Sequence, residues 1–186
     1  MLLSKFDVAE RQLLQAIRMF FGDEDPVSIH TLAEAAAQVL NDIGDKYGAK
    51  SIFRDSDKIR EEKMKEWLGH IFKSRNFFKH ANRDKDELHE FKDEFNDFSL
   101  LDAINMYTTI KQKWVPETLV YLAWFAVAHP NLMKDGTDWS KMFEAARQDG
   151  NLPDPLNKQI LLKSIKAMRQ GIYGLDNLTL EYGLRA

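Results

Sequence analysis

The sequence has no cysteine and few residues that break helices. Among its 186 residues there are nine glycines and five prolines. The absence of cysteine excludes disulfides, a thiolate nucleophile and every zinc site with cysteine ligands. Catalysis or metal binding would therefore have to use His, Asp, Glu or hydroxyl side chains.

Long apolar runs and an excess of basic charge are also missing. The longest apolar run, around Leu119 to Ala128, is about half the length that a membrane-spanning helix needs. Asp7 and Glu10 interrupt the N-terminus before a signal-length apolar segment can form. The net charge of -3 provides no overall basic field, so any nucleic-acid contact must be local. We expect a soluble, cytoplasmic protein without a membrane partner.

The residues that are present favour helices throughout. The chain is 44% hydrophobic and 30% charged, and its glycines and prolines lie between segments of helical periodicity. This pattern predicts an all-α fold, a single-domain helical bundle of about six to seven helices over residues 1–186. Whether residues 83–97 form a short helix or an ordered loop stays open. The predicted helices run from Ser4 or Asp7 to Phe21, from Pro26 to Gly44, from about Lys58 toward Ala81, from Leu100 to Lys113, from Thr118 to Ala128 after Pro116, from Asp138 to Gln148, and from Asp154-Pro155 through Arg169.

The third predicted helix carries an arginine inside its apolar stripe, in the segment KSRNFFKHA at 73–81. At about 100° per residue, Arg75 lies only about 20° from Met64, near the centre of that stripe. A guanidinium is costly to desolvate without a polar or anionic partner, so the position predicts such a partner for Arg75. The members of the stripe are Met64, Trp67, Leu68, Ile71, Phe72 and Phe78.

Asn76 and His80 follow as an i, i+4 pair on the same helix. The Asn amide could hold one ring nitrogen of His80 and fix its tautomer. The alternative is structural, because an arginine near a helix end can extend its head group to water and a histidine in the last turn interacts with the terminal carbonyls.

The run RNFFKH at 75–80 resembles the R-x4-H signature of the HEPN superfamily, with Arg75, Asn76 in the polar slot, and His80. The resemblance implies a HEPN-like helical core over residues 1–98 and additional C-terminal helices over 99–186 packed on it. Many members of the superfamily are metal-independent ribonucleases of toxin–antitoxin, abortive-infection or CRISPR systems, and others are inactive binding modules. In active members two motifs meet across a dimer cleft.

The mechanism implied by the resemblance is RNA cleavage through attack of the 2′-hydroxyl. His80 would act as general base or acid, Arg75 would clamp the phosphate, and Asn76 would orient the histidine or contact the substrate. Phe77 would stack on a base or on the second subunit, or pack under the following segment. The remaining substrate-binding candidates are Lys73, Lys79 and Arg83, which supply local positive charge.

Other constellations point less clearly to chemistry. A second, looser match to the motif pairs Arg83 and Asp84 with His89 in a more charged segment. The acidic residues around His89 have a spacing that fits neither an EF-hand nor an HExxH pattern, which favours a solvated loop. His30 lies off the apolar face of the second helix, which favours a surface position. The tryptophans are most simply core or interface residues.

Three functional hypotheses follow. The first is a HEPN-like endoribonuclease in phage defence or a toxin–antitoxin pair, without metal or other cofactor. The second is an inactive HEPN-like dimeric module that binds nucleotide, RNA or a partner protein. The third is an unrelated helical interaction protein. The first two predict a homodimer, because a two-fold axis doubles a sparse site, and they leave room for an antitoxin or other protein partner.

Overall fold

The chain folds into a bundle of helices in its computed structural model, which describes residues 1–54, 59–80, 82, 85–132 and 156–172. Within these ranges there are seven α-helices, two short 3-10 turns and no strand, which confirms the all-α prediction. The helices are α1 (Lys5–Phe21), α2 (Pro26–Gly44), α3 (Glu61–Ile71), α4 (Lys73–Lys79), α5 (Phe95–Lys111), α6 (Pro116–Ala128) and α7 (Lys158–Arg169).

Three helices begin at the predicted signals. Ser4 caps α1 in a capping box with Asp7, and the Asp25 carboxylate accepts the backbone N–H of Ser28 at the start of α2. Pro116 is the first residue of α6, where its missing N–H is not needed. Local capping chemistry is therefore sufficient to place these boundaries.

Other boundaries differ from the prediction. The third helix is interrupted at Phe72, whose φ of -98° and ψ of 15° leave the helical region, so α3 and α4 are separate. Residues 87–92 are not helical, and α5 already begins at Phe95 instead of Leu100. The last helix begins at Lys158 after the cap Asn157. The helix predicted for 138–148 and the start predicted at 154–155 lie outside the described residues.

The core is formed by α1, α2, α5, α6 and α7. Helices α1 and α2 pack on each other, and α5 packs along α2. The 98/99 boundary inferred from the family resemblance falls inside α5, whose residues Leu100 and Ile104 are fully buried. The largest fully buried apolar side chains are Tyr107, Tyr121, Phe21, Leu13, Ile17, Leu40, Leu100, Ile104, Met106 and Ile165.

His30 corrects a prediction. The sequence favoured a surface position, but its side chain is only 2% exposed and lies against the rings of Phe78 and Phe91. The aromatic residues of α4 and of the 87–92 segment cover this part of α2, and the periodicity of α2 alone contains no sign of that cover. None of the described helices combines the length and the apolar character that a membrane span requires.

Candidate functional site

Helix α4 carries the predicted motif and is held from three directions. Ser74 is buried and its hydroxyl lies 2.8 Å from Nε2 of His89. Phe78 makes edge contacts with His30 and Phe91. Phe72, at the junction with α3, is 5% exposed. These contacts fix which sides of the short helix face α2, the 87–92 segment and solvent.

Arg75 points from α4 toward α2. Its Nη1 donates to Oε1 of Gln38 at 3.0 Å, and its guanidinium lies 4.1 Å from the ring centroid of Phe72. Burial lowers the pKa of Arg75 from its ordinary value, while the carboxylate of Glu34 opposes that shift. The polar partner that the sequence predicted for this cation is therefore a neutral amide, supplemented by an aromatic ring.

Asn76 and His80 do not form the predicted hydrogen bond within the described residues. The Oδ1 of Asn76 instead lies 3.4 Å from Nη2 of Arg75. His80 ends α4 with non-helical backbone angles, and its side chain is exposed. His80 lies on the side of α4 that lines a pocket without Arg75.

A pocket of about 260 Å³ lies on that side of α4. It brings together Asn76 and His80 with His89, which the sequence associated with a different motif. The ring of Phe77 packs on His89 with 5.0 Å between centroids, so Phe77 lies under the following segment. The lining residues are Gly69, Lys73, Asn76, Phe77, His80, Glu87, Leu88 and His89.

The substrate-binding candidates are distributed around α4. Lys73 lines the pocket, and Lys79 is exposed one turn after Arg75. The pKa of Lys79 is lowered, first by partial desolvation and then by Arg75. Arg83 lies outside the described residues. In the described part of the chain no three His, Asp or Glu side chains converge in the manner of a metal site.

Two buried polar groups of α2 lie close to this helix. His30 and Glu34 are 2% and 3% exposed, yet Nε2 of His30 and Oε2 of Glu34 have no hydrogen-bond partner among the described residues. The Nδ1 of His30 lies 3.1 Å from Oδ1 of Asn96, and burial lowers the pKa of His30. Buried polar atoms without partners are uncommon in folded proteins and point to a strained or functional region.

The sequence pointed to Arg75, Asn76 and His80 but not to the residues that surround them. His89 reaches the pocket from the 87–92 segment, which no spacing rule predicts. Gln38 and Arg54 reach Arg75 through the packing of α2 and of the turn at 51–54.

In comparisons with known proteins, no family model, no curated protein and no solved structure matches this chain.

Proposed function

We propose that the chain is a cytoplasmic, HEPN-like endoribonuclease that cleaves RNA without a metal ion. The observation that supports this most directly is the pocket beside α4, which is lined by two histidines, an asparagine and a lysine. Imidazole is the side chain that can both accept and donate a proton near neutral pH. Two imidazoles in one small pocket suit a reaction that needs a base and an acid.

The reaction assigned to the pocket is transesterification at phosphorus. One imidazole of the pair His80 and His89 takes the proton of the 2′-hydroxyl, whose oxygen attacks the phosphate. The bond from phosphorus to the 5′-oxygen breaks, and the second imidazole protonates that oxygen. The products are a 2′,3′-cyclic phosphate and a free 5′-hydroxyl. Lys73 and Asn76 are placed to contact the phosphate.

Arg75 does not line the pocket, and its role in this proposal depends on its neighbour Asn76. Its guanidinium lies on the other side of α4, and Asn76 both contacts it and lines the pocket. We assign to Arg75 the attraction of the RNA backbone and the positioning of Asn76. A homodimer that brings two α4 helices together would double the charge along the bound strand.

The test is cleavage of unstructured RNA in EDTA by the wild type and by His80→Ala. We expect the wild type to produce cyclic phosphate ends and the variant to be slower by about 10²- to 10⁴-fold, the usual contribution of an acid–base group. His89→Gln should lose activity to a similar degree. His70→Ala is the matched control, since His70 is also exposed on the adjacent α3.

Equal rates for the wild type and His80→Ala, or no cleavage by either protein, would contradict the proposal. Light scattering coupled to gel filtration would separately test the homodimer. An antitoxin or other protein partner from a defence pathway is part of the same proposal and would be sought by its ability to suppress cleavage.

A second candidate function is an inactive HEPN-like module that binds nucleotide or RNA. The orientation of Arg75 favours it, because this guanidinium bonds to Gln38 and does not line the histidine pocket. RNA binding without cleavage, weakened by Arg75→Gln and unchanged by His80→Ala, would decide for this candidate.

A further inference from the structure

Two arginines converge on the side of α4 opposite the histidine pocket. Arg54, from the turn that follows α2, and Arg75, from α4, donate to the same oxygen, Oε1 of Gln38, at 3.2 and 3.0 Å. Both guanidiniums also lie over the ring of Phe72, at 4.7 and 4.1 Å from its centroid. Two like charges are therefore held within two hydrogen-bond lengths of each other.

The cations of this cluster outnumber the carboxylates that act on them, which are Glu34 for Arg75 and Asp102 for Arg54. Lys79 adds a third cation, and its pKa is lowered in part by Arg75 and Arg54. Within the described residues none of the three cations forms an ion pair with a carboxylate. Glu34 is the one carboxylate that favours Arg75 electrostatically there, and its Oε2 makes no hydrogen bond in the described part of the chain.

The arrangement is fixed before any ligand arrives. A second nitrogen of Arg54 donates to the backbone oxygen of Ala37 at 3.2 Å, which anchors its guanidinium to α2. Asn76 holds the other guanidinium from α4. Both arginines are half-buried and Lys79 is exposed, so the cluster reaches the surface. Planar guanidiniums in fixed positions suit the oxygens of a phosphate group better than flexible lysines.

We propose that Arg54 and Arg75, with Lys79 at the rim, form a phosphate-binding site. In the absence of phosphate, the side chain of Gln38 keeps the two guanidiniums apart. The ligand is the phosphate group of a nucleotide or of an RNA backbone. The site shares Arg75 with the proposed ribonuclease but does not depend on cleavage. Because Asn76 contacts Arg75 and lines the histidine pocket, a bound strand would place neighbouring phosphates on the two sides of α4.

The experiment measures the melting temperature of the full chain in phosphate-free buffer as phosphate is added at constant ionic strength. Three arms use inorganic phosphate, AMP and the dinucleotide ApA with a 2′-deoxy group at its first nucleotide, which the proposed ribonuclease cannot cleave. We expect a saturable rise in melting temperature, and at least a tenfold weaker apparent affinity in Arg54→Gln. Arg11→Gln removes the same charge from the exposed face of α1 and should respond as the wild type does.

Gln38→Glu is a second test that does not depend on removing an arginine. A carboxylate between the guanidiniums should abolish the rise in melting temperature with phosphate. Its effect without phosphate combines attraction to the arginines with repulsion from Asp42, whose carboxylate accepts from the Gln38 amide at 2.7 Å. A merely structural role for Arg54 would lower the melting temperature of Arg54→Gln and leave its response to phosphate unchanged, which would overturn the proposal.

The arms also identify the source of the phosphate. A stronger response to AMP assigns the site to a phosphomonoester, and a stronger response to ApA assigns it to the RNA backbone. A response to inorganic phosphate alone, or no response in the wild type, would overturn the proposal. Phosphate binding is measured by the melting temperature and cleavage by the RNA products, so failure of the ribonuclease mechanism and failure of this site are distinguishable.

Discussion

Two buried carboxylates of the bundle and the buried polar groups beside α4 differ in how well their hydrogen bonds are satisfied. In the bundle, the carboxylate of Glu117 is almost fully buried and forms an ion pair with Arg18. The carboxylate of Asp102 accepts hydrogen bonds from the hydroxyl of Ser51 and the backbone of Ile52. Each of these buried acids is matched by a donor, as is usual in protein interiors. Among the described residues of α1, Oε1 of Gln12 is a buried atom without a partner.

Beside α4, buried polar groups lack some of their hydrogen-bond partners. Glu34 and His30 each keep a buried atom without a hydrogen bond in the described residues, and two guanidiniums share one neutral oxygen. Natural sequences depart from local consistency mainly at functional or strained positions. The contrast supports the proposal that α4 and its contacts with α2 form the functional region, with the bundle as its scaffold.

The largest expected difference between the two regions is in packing. Leu13→Ala in α1 removes a fully buried side chain and should lower the free energy of unfolding by about 3 to 5 kcal/mol. Leu68→Ala in α3, which has no fully buried residue, should cost less than about 1 kcal/mol. Urea unfolding followed by circular dichroism measures both, and equal losses would contradict the assignment of the tightly packed bundle as the scaffold.

An effect of intermediate size is the contribution of Asp102 to the pH dependence of stability. Burial raises the pKa of Asp102 to about 6 in the folded chain, from 3.8 in an unperturbed carboxyl. Between these values the unfolded chain releases the proton while the folded chain retains it, so stability falls as pH rises from about 4 to about 6. This fall in the free energy of unfolding is at most about 3 kcal/mol.

Asp102→Asn should remove this contribution to the pH slope. The measurement is the free energy of unfolding in urea at several pH values for both proteins. Parallel curves for the wild type and the variant between pH 4 and pH 7 would show that the carboxyl is not protonated in the folded state.

The smallest expected effect is the contribution of His30 to the pH dependence of stability, and its sign is opposite to that of Asp102. Burial lowers its pKa, while the charge of Glu34 and the hydrogen bond to Asn96 partly offset the shift. As pH falls through 6.5, the unfolded chain takes up a proton that the folded chain refuses, so acid destabilises the fold through this residue. His30→Phe should reduce that loss.

The comparison is made in the Asp102→Asn background, where the opposing contribution of Asp102 is absent. Unfolding in urea between pH 7 and pH 5 should show a shallower loss of stability for His30→Phe, Asp102→Asn than for Asp102→Asn alone. A steeper loss in the double variant would mean that His30 is charged in the folded chain.

The sequence was informative where structure is local. Capping residues and apolar periodicity placed α1, α2 and α6, and the angular position of Arg75 predicted a polar partner on its helix face. The interruption at Phe72 was missed because the apolar stripe passes through it without a break. The burial of His30 and the approach of His89 and Arg54 depend on contacts between distant segments, which no spacing within one helix encodes.

The five histidines allow one direct test of the central claim that the pocket beside α4 binds RNA. The imidazole signals are followed by NMR while an RNA with a single 2′-deoxy position at the scissile nucleotide, which cannot be cleaved, is added. We predict that the signals of His80 and His89 shift together with saturation, while those of His70 and His129 stay in place. Unchanged signals for His80 and His89, or equal shifts at all exposed histidines, would contradict the account.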